Sequence, residues 1–538
     1  MDQNFLQEVK EWILDDPDSN TATQLQNWLD SNNEVELRAC FNGFLQFGTA
    51  GLRGPVRPGP SGMNRAVVAR TSAGLVAYMK SHGLNSVVIG QDARHGSKEF
   101  ALEAAQIFSG AGMTTMVLSH PLPTPVLAFA TKELGCDVGI MVTASHNPPK
   151  DNGFKVYLGG TVDGVIYRGS QITSPADSLI ADEISKVTST KSLPRADKWK
   201  IVDDHLVEEY VSRTAKLAQN PGKLKIVYTA MHGVGTETLL SVFKVAGFDP
   251  PQLVLEQAQP DPDFPTVAFP NPEEPGAMDL AIEMAKKSEA DLVIATDPDA
   301  DRCAVAIKDP KVGWRILHGD ELGAVFAHVI SEGSDHGVFA NTIVSSTIVK
   351  KIAQNRSIKF QETLTGFKWI SKIQNLSFGY EEAIGYCVDP ESVNDKDGIS
   401  AAIFIAQIAT DLARDGKTIL DLLNEIWSLH GYHATEQISI RVNEISQVKD
   451  LLCSLRNNPP HQIAGRKVTL IEDLSKPSDG LPPTDGLRIW LEGPIRVIIR
   501  PSGTEAKLKC YIEVIEKSEE IAQEILSQLR PSLKELLS

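Results

Sequence analysis

The chain has 538 residues, of which 42% are hydrophobic and 22% charged, and its formal net charge is −17. A single hydrophobic core stops growing at about 250–300 residues, so this length implies several domains. The acidic balance argues against nucleic acid or an anionic membrane as the main partner, and it confines anion binding to local concentrations of Arg, Lys and backbone N–H.

The N-terminal stretch "MDQNFLQEVKEWILDD" is acidic, amphipathic and helical in pattern. It lacks the basic start and apolar block of a signal peptide, and no later stretch approaches about 18 uninterrupted apolar residues, so no leader or membrane span is expected. Beyond it, "SVVIG", "TTMVL" and "VGIMVTAS" alternate with helical "KEFALEAAQIFSGAG" and "PTPVLAFATKELG". The alternation recurs as "LKIVYTA", "QLVLEQ" and "DLVIATDPDADR", separated by "TLLSVFKVAG" and "AMDLAIEMAKKSEA". A third round runs through "HGVFANTIVSS", "IKFQETLTG" and "SFGYEEAIG", with helices at "TIVKKIAQ" and "FKWISKIQ". Short β-branched runs alternating with helices predict three similar α/β units with mixed, mainly parallel sheets. From about residue 436 the strands "TEQISIRV", "KVTLIED", "LRIWLEG", "IRVIIRPSG" and "KLKCYIEVIE" predict an antiparallel α+β domain with one internal and one C-terminal helix. The division expected is 1–205, 206–319, 320–435 and 436–538. Cys40, Cys136, Cys303, Cys387, Cys453 and Cys510 form no C-x-x-C pair and read as reduced thiols of a cytoplasmic protein.

In each unit a polar, glycine-containing loop follows a strand, where open parallel sheets place their ligands. "TASHNPPKDNGFK" carries Ser145, His146 and Lys155. By itself it reads either as a capped proline turn or as a nucleophile or phosphate carrier beside proton-handling groups. No G-x-S-x-G elbow is present, which removes support for ordinary hydrolase chemistry. "DPDADR" places Asp297, Asp299 and Asp301 at alternate positions, followed by Arg302. Carboxylates this close repel unless a hard cation neutralises them; an EF-hand is excluded because its glycine and glutamate positions hold Arg302 and Lys308. An exposed aspartate turn without metal remains the alternative, and Mg²⁺ is favoured over it, since it takes few carboxylates and completes its shell with phosphate oxygen or water. "GYEEAIGY" offers Glu381 and Glu382 to sugar hydroxyls, and "IRPSGTEAKLK" joins Arg500, Ser502, Gly503, Thr504, Lys507 and Lys509 in a stretch suited to a phosphate dianion.

Together "TASHNP", "DPDADR", "GYEEAIG" and "RPSGTE" resemble, in order and over nearly the whole chain, the phosphoserine, metal, sugar and phosphate loops of the α-D-phosphohexomutase family. "FGTAGLRG" at 47–54 and "TLTGFK" at 363–368 add to the resemblance, which is strongest to the branch holding phosphoglucomutases, phosphomannomutases and animal phosphopentomutases. It implies four domains around a central active-site cleft. It also implies a mutase that moves phosphate between the 1- and 6-positions of a hexose through phospho-Ser145 and a bisphosphate intermediate. Glucose is the expected sugar, with mannose, ribose and deoxyribose phosphates as alternatives.

On the same resemblance, Asp297, Asp299, Asp301 and the Ser145 oxygen hold Mg²⁺, and Arg53 and Arg302 stabilise the transferring oxygens. Lys155 or His146 handles the proton. Thr365, Gly366, Glu381 and Lys396 contact the sugar, and Arg500, Ser502, Gly503 and Thr504 clamp the non-reacting phosphate. A sugar bisphosphate such as glucose 1,6-bisphosphate is the implied activator. The partner expected is a small phosphosugar, without nucleic acid or membrane, bound by a monomer or small homo-oligomer. Two departures stand out: Ala383 replaces a serine usual two places after the sugar-loop glutamate, and Ala506 replaces a common proline. The rival readings explain less. A phosphate-binding regulatory protein needs neither Ser145 nor the aspartates, and "DLARDGKT" and "HGVGTET" each lack a glycine of the nucleotide-binding motifs.

Overall fold

Apolar β-branched runs with no polar alternation are the mark of strands covered on both faces, and here they become the centres of the sheets. In the computed structural model Val138–Val142 and Leu292–Thr296 are buried at every position. The structure describes residues 1–48, 51–333, 336–442, 445–477, 480–501 and 507–537.

Around Val138–Val142, strand Ser86–Gln91 pairs in parallel with it and with Thr114–Val117. Antiparallel strands Asp151–Leu158 and then Leu52–Pro55 extend the sheet on its other side. The second sheet repeats the plan: Ile226–Thr229 lies parallel to Gln252–Leu253 and Leu292–Thr296, and Cys303–Asp309 and Gly313–Ile316 continue it antiparallel. In the third, Val338–Thr342 is parallel to both Lys359–Thr363 and Leu376–Glu381. The last sheet is antiparallel throughout its described strands, from Tyr432–Arg441 through Lys507–Glu516, Ile495–Pro501, Leu487–Leu491 and Arg466–Asp473 to Gln462–Ile463. These are three α/β sheets of mixed order and a C-terminal α+β sheet, the fold class the alternation predicts. Helices Ile445–Asn457 and Glu519–Leu536 accompany the last sheet.

Three short helices, Gln3–Asp15, Ser19–Asp30 and Glu34–Cys40, precede the first sheet and enclose a small core of Phe5, Val9, Leu25, Leu37, Cys40 and Phe41. Each begins at an Asp or Asn whose side chain accepts a backbone N–H, supplying one of the acceptors that helix starts require.

Two readings of local pattern change. "QLVLEQ" is only a two-residue strand, Gln252–Leu253, followed by a 3₁₀ turn at Leu255–Gln257. "FKWISKIQ" shortens to one turn at Phe367–Ile370.

The chain packs as two compact units. One holds Met1–Leu317, Ser371–Ile373 and Ile384–Arg414; the other holds His318–Ile370, Gln374–Ala383 and Asp415–Ser538. Among the described residues no helix is long and apolar enough to cross a membrane.

Candidate active site

The first unit gathers most of the charged residues singled out in the sequence. Strand Val138–Val142 runs into Thr143, whose hydroxyl oxygen accepts the N–H of Ser145 at 2.9 Å. Ser145 adopts a left-handed backbone (φ 53°), a conformation sparsely used by residues other than glycine and kept only where its surroundings fix it. The buried Ser145 Oγ donates to Asp297 Oδ2 at 2.8 Å and lies 3.3 Å from His146 Nδ1.

Arg53 arrives on the edge strand Leu52–Pro55, opposite Gly153, and its Nη1 donates to Asn147 Oδ1 at 3.1 Å. Two residues before Arg53 in "FGTAGLRG" stands Gly51. At φ 79°, a Cβ there would stand 1.8 Å from the carbonyl oxygen of Phe154, so only glycine lets the edge strand approach.

The aspartates follow the buried strand Leu292–Thr296 in a tight turn, the Ala300 N–H bonding the Asp297 carbonyl at 2.9 Å. All three are buried, and one carboxylate oxygen from each lies within 4.8 Å of the others. Gly233 of the "HGVGTET" stretch supports the turn rather than a nucleotide. A Cβ there would meet Pro298 Cα at 2.3 Å, and the next residue's N–H bonds the Pro298 carbonyl at 2.9 Å.

Lys155 Nζ donates to Asp299 Oδ2 at 2.7 Å and Asp301 Oδ2 at 3.0 Å. Lys396 Nζ stands 3.4 Å from Asp301, and Arg302 Nε is 3.7 Å from Asp301 and 3.9 Å from Asp297. Burial alone would pull the Lys155 ammonium down, but the carboxylates of Asp299 and Asp301 outweigh it and hold the group above its ordinary range. Burial and the neighbouring Asp299 and Asp301 drive Asp297 the other way, well above the usual carboxylate range. Burial together with the guanidinium groups of Arg302 and Arg53 keeps His146 well below the ordinary imidazole value, so its ring is neutral at pH 7.

This donor set fits a hard divalent cation. Asp299 Oδ1 and Asp301 Oδ1 are buried and accept no hydrogen bond among the described residues, although Arg302 Nε stands 3.7 Å from Asp301 Oδ1, and the three carboxylates offer oxygen ligands within 4.8 Å of one another. Unpaired buried carboxylate oxygens are costly unless something cationic meets them.

The second unit holds the sugar-loop residues. Strand Leu376–Glu381 ends at Glu381, whose Oε1 accepts the N–H of Gly366 at 3.0 Å, with half-buried Thr365 alongside. Gly366 takes φ 111°, a region reserved for glycine. Glu382 turns to the loop after Val338–Thr342, accepting from Ser345 Oγ at 2.9 Å and Thr342 Oγ1 at 3.2 Å. Arg500 is half-buried near the end of strand Ile495–Pro501, opposite Lys509. Ser502, Gly503 and Thr504 lie outside the described residues.

Four side chains beside Ser145 and the aspartates escaped the sequence reading. Thr124 Oγ1 donates to Asp299 Oδ2 at 2.6 Å, and its N–H bonds the Asp299 carbonyl at 2.8 Å. Asp92, Arg94 and Thr143 form a buried cluster under Ser145. The local signal for Asp92 and Arg94 was that "DAR" follows directly on a strand, Ser86–Gln91.

Comparison with known proteins agrees with this geometry. Models of the phosphoglucomutase/phosphomannomutase family match residues 45–191, 206–313 and 318–430 as its α/β/α domains I, II and III, and 457–531 as its C-terminal domain. The chain belongs to the phosphoglucomutase/phosphomannomutase family. It is 44% identical over 482 residues to the probable phosphomannomutase of Haemophilus influenzae, covering 88% of this chain and 98% of that one. It is 34% identical to the phosphopentomutase of Homo sapiens, covering 100% of this chain and 95% of that protein. A phosphoglucomutase/phosphomannomutase family protein from Burkholderia thailandensis shares the fold, with a TM-score of 0.71 at 20% identity over 91% of this chain and 97% of that one. As a phosphoglucomutase/phosphomannomutase family member the chain is a phosphosugar mutase, an intramolecular phosphotransferase of the isomerase class.

Proposed function

We propose that this mutase interconverts hexose 1-phosphate and hexose 6-phosphate, glucose being preferred, with Ser145 as the phosphoryl carrier and a bisphosphate as intermediate. The observation that carries this reading is the 2.8 Å bond from Ser145 Oγ to Asp297, the first of three buried aspartates. Asp297, Asp299, Asp301 and the phosphoserine oxygen would hold Mg²⁺, which supplies positive charge where the phosphoryl oxygens gather it.

The chain's own groups do the rest. Phospho-Ser145 gives its phosphoryl group to a sugar hydroxyl, the P–O bond to Oγ breaking as the bond to the sugar oxygen forms and the hydroxyl proton passing by way of His146 to Ser145 Oγ, 3.3 Å from its Nδ1. Arg53, Arg302 and Lys155 neutralise the equatorial oxygens, Lys155 because its carboxylate partners keep it charged. His146, neutral and 3.3 Å from Ser145 Oγ, accepts the serine proton when the hydroxyl takes a phosphoryl group back. Glu381, oriented by the Gly366 N–H, accepts bonds from ring hydroxyls, with Thr365 and Lys396 as further sugar contacts. Arg500, Ser502, Gly503 and Thr504 bind the phosphate that is not reacting. Holding that phosphate lets either end of one bisphosphate meet Ser145. A sugar bisphosphate such as glucose 1,6-bisphosphate charges Ser145 at the start. We place the enzyme in the cytoplasm, as a monomer or small homo-oligomer.

A coupled assay with Mg²⁺ and glucose 1,6-bisphosphate, run on glucose, mannose, ribose and deoxyribose 1-phosphates, tests the reading. Glucose 1-phosphate is expected to give the highest kcat/KM, with measurable turnover of mannose 1-phosphate because Ala383 offers no hydroxyl to refine the choice. A strong preference for ribose 1-phosphate, in keeping with the human phosphopentomutase to which the chain is 34% identical, would overturn the choice of sugar while leaving the phosphoserine chemistry standing.

A further inference from the structure

The backbone of Ser145 is held by a guanidinium that the reaction as described does not use. Arg94 is 4% exposed, yet its fork makes four hydrogen bonds to one short loop. Nη2 donates to the carbonyls of Ser145 at 2.6 Å and Asn147 at 2.7 Å, and Nη1 to those of Pro148 at 2.9 Å and Asp151 at 3.1 Å. Behind it, Asp92 Oδ2 stands 3.4 Å from Arg94 Nε and accepts from Thr143 Oγ1 at 2.6 Å, while Asp92 Oδ1 accepts from Ser97 Oγ at 2.6 Å and the Arg94 N–H at 3.0 Å. Thr143 in turn receives the Ser145 N–H. Both backbone polar groups of Ser145 therefore end on one buried cluster. The ring of Phe264, from the chain segment before the aspartate loop, lies under the guanidinium with its centroid 4.9 Å away.

We infer that Arg94, braced by Asp92 and Thr143, is the positioning residue that sets the direction of the Ser145 Oγ toward Asp297; this rests on Ser145 being the phosphoryl carrier. A left-handed non-glycine residue relaxes unless its neighbours over-determine it, and four charge-assisted bonds from one rigid plane do that. A lysine cannot replace the plane, because an ammonium is a point donor that does not span four carbonyls.

The test compares full-length wild type, Arg94→Lys and Thr143→Val, each treated with glucose 1,6-bisphosphate and Mg²⁺, by intact mass over time. It reads two quantities, the final fraction phosphorylated and the rate constant at which that fraction forms. For Arg94→Lys the final fraction is expected to match wild type while the rate constant drops about 100-fold, the scale set by an ångström of misplacement. Steady-state kcat should drop in parallel with KM for glucose 1-phosphate unchanged. Thr143→Val, nearly isosteric, should show the same pattern more weakly, and it decides the matter if Arg94→Lys is insoluble. A reduced final fraction with a wild-type rate constant would mean that the cluster only keeps the protein folded, and would overturn the inference. So would wild-type values of both quantities. If wild type itself gains no phosphoryl group at Ser145, the phosphoserine reading fails first and the inference with it.

Discussion

Asp299 shows how one side chain serves several constraints at once. Its Oδ2 takes bonds from Lys155 at 2.7 Å and Thr124 at 2.6 Å, while Oδ1 remains unpaired among the described residues. Asp299→Asn keeps the volume and removes the charge. Steady-state kinetics on glucose 1-phosphate should show kcat lowered by about 10²–10³ with KM nearly unchanged, since the lost stabilisation belongs to the transition state. A raised KM with intact kcat would instead make Asp299 a sugar contact. Ser145, Lys155 and the three aspartates could be singled out because each lies in a polar loop right after an apolar strand within a motif that resembles the family's, and the fold brings them together. Arg94 was not, since a lone arginine in "GQDARHG" carries no chemistry until the fold brings it to carbonyls more than 50 residues away. Thr124 opens a helix, a place where threonine is ordinary, and only its contact with Asp299 gives it a further part.

Among the elements, the strands of the last sheet do more than close a core. Glu513, on strand Lys507–Glu516, reaches the loop after Val338–Thr342 and accepts from Ser346 Oγ and the Thr347 N–H, both at 2.7 Å, and from His433 Nδ1 at 2.9 Å. Arg496 Nη2 on the neighbouring strand is 3.0 Å from its other oxygen and donates to the Ser345 carbonyl. Burial pushes the Glu513 carboxyl up, but Arg496 and His433 outweigh that and hold it well below the ordinary glutamate range. A carboxylate with a depressed folded-state value contributes stability above its unfolded value of about 4.3, and that contribution is lost as pH falls below it. Glu513→Gln, which leaves buried Arg496 with only Glu362, 3.6 Å from its Nη1, as a charge partner, should destabilise by up to about 3 kcal/mol at pH 7. Thermal unfolding from pH 7 down to pH 3 should show the gap between wild type and variant narrowing as the acid limit is approached. A gap independent of pH would mean that the glutamate charge contributes nothing. Element type was legible wherever apolar periodicity ran long. Pattern and structure differ at "QLVLEQ", where Val254 and Ala258 are buried in a turn that leaves the sheet after two residues, and at "FKWISKIQ", where the chain leaves helical geometry after one turn.

At the scale of the whole molecule, the chain returns to its first unit late. Residues 384–414 pack there, far in sequence from the aspartates they support. The Cys303 N–H bonds the Ile384 carbonyl at 3.1 Å and the Gly398 N–H bonds the Ala300 carbonyl at 3.1 Å, while a Cβ on Gly398 would stand 2.2 Å from the Arg302 carbonyl oxygen. This return carries Lys396 to Asp301, with Asp395 held by Gln171 Nε2 at 3.0 Å. In the sequence the resemblance makes Lys396 a sugar contact; its docking against the aspartate turn is a long-range contact that no local pattern encodes. The central claim, that Ser145 carries the phosphoryl group between sugar positions, is tested most directly by intact mass of the full chain. Wild type exposed to glucose 1,6-bisphosphate and Mg²⁺ should become heavier by one phosphoryl group and lose it on adding excess glucose 6-phosphate, whereas Ser145→Ala should gain none and turn over no substrate. A Ser145→Ala protein that still interconverts the two monophosphates would contradict the account.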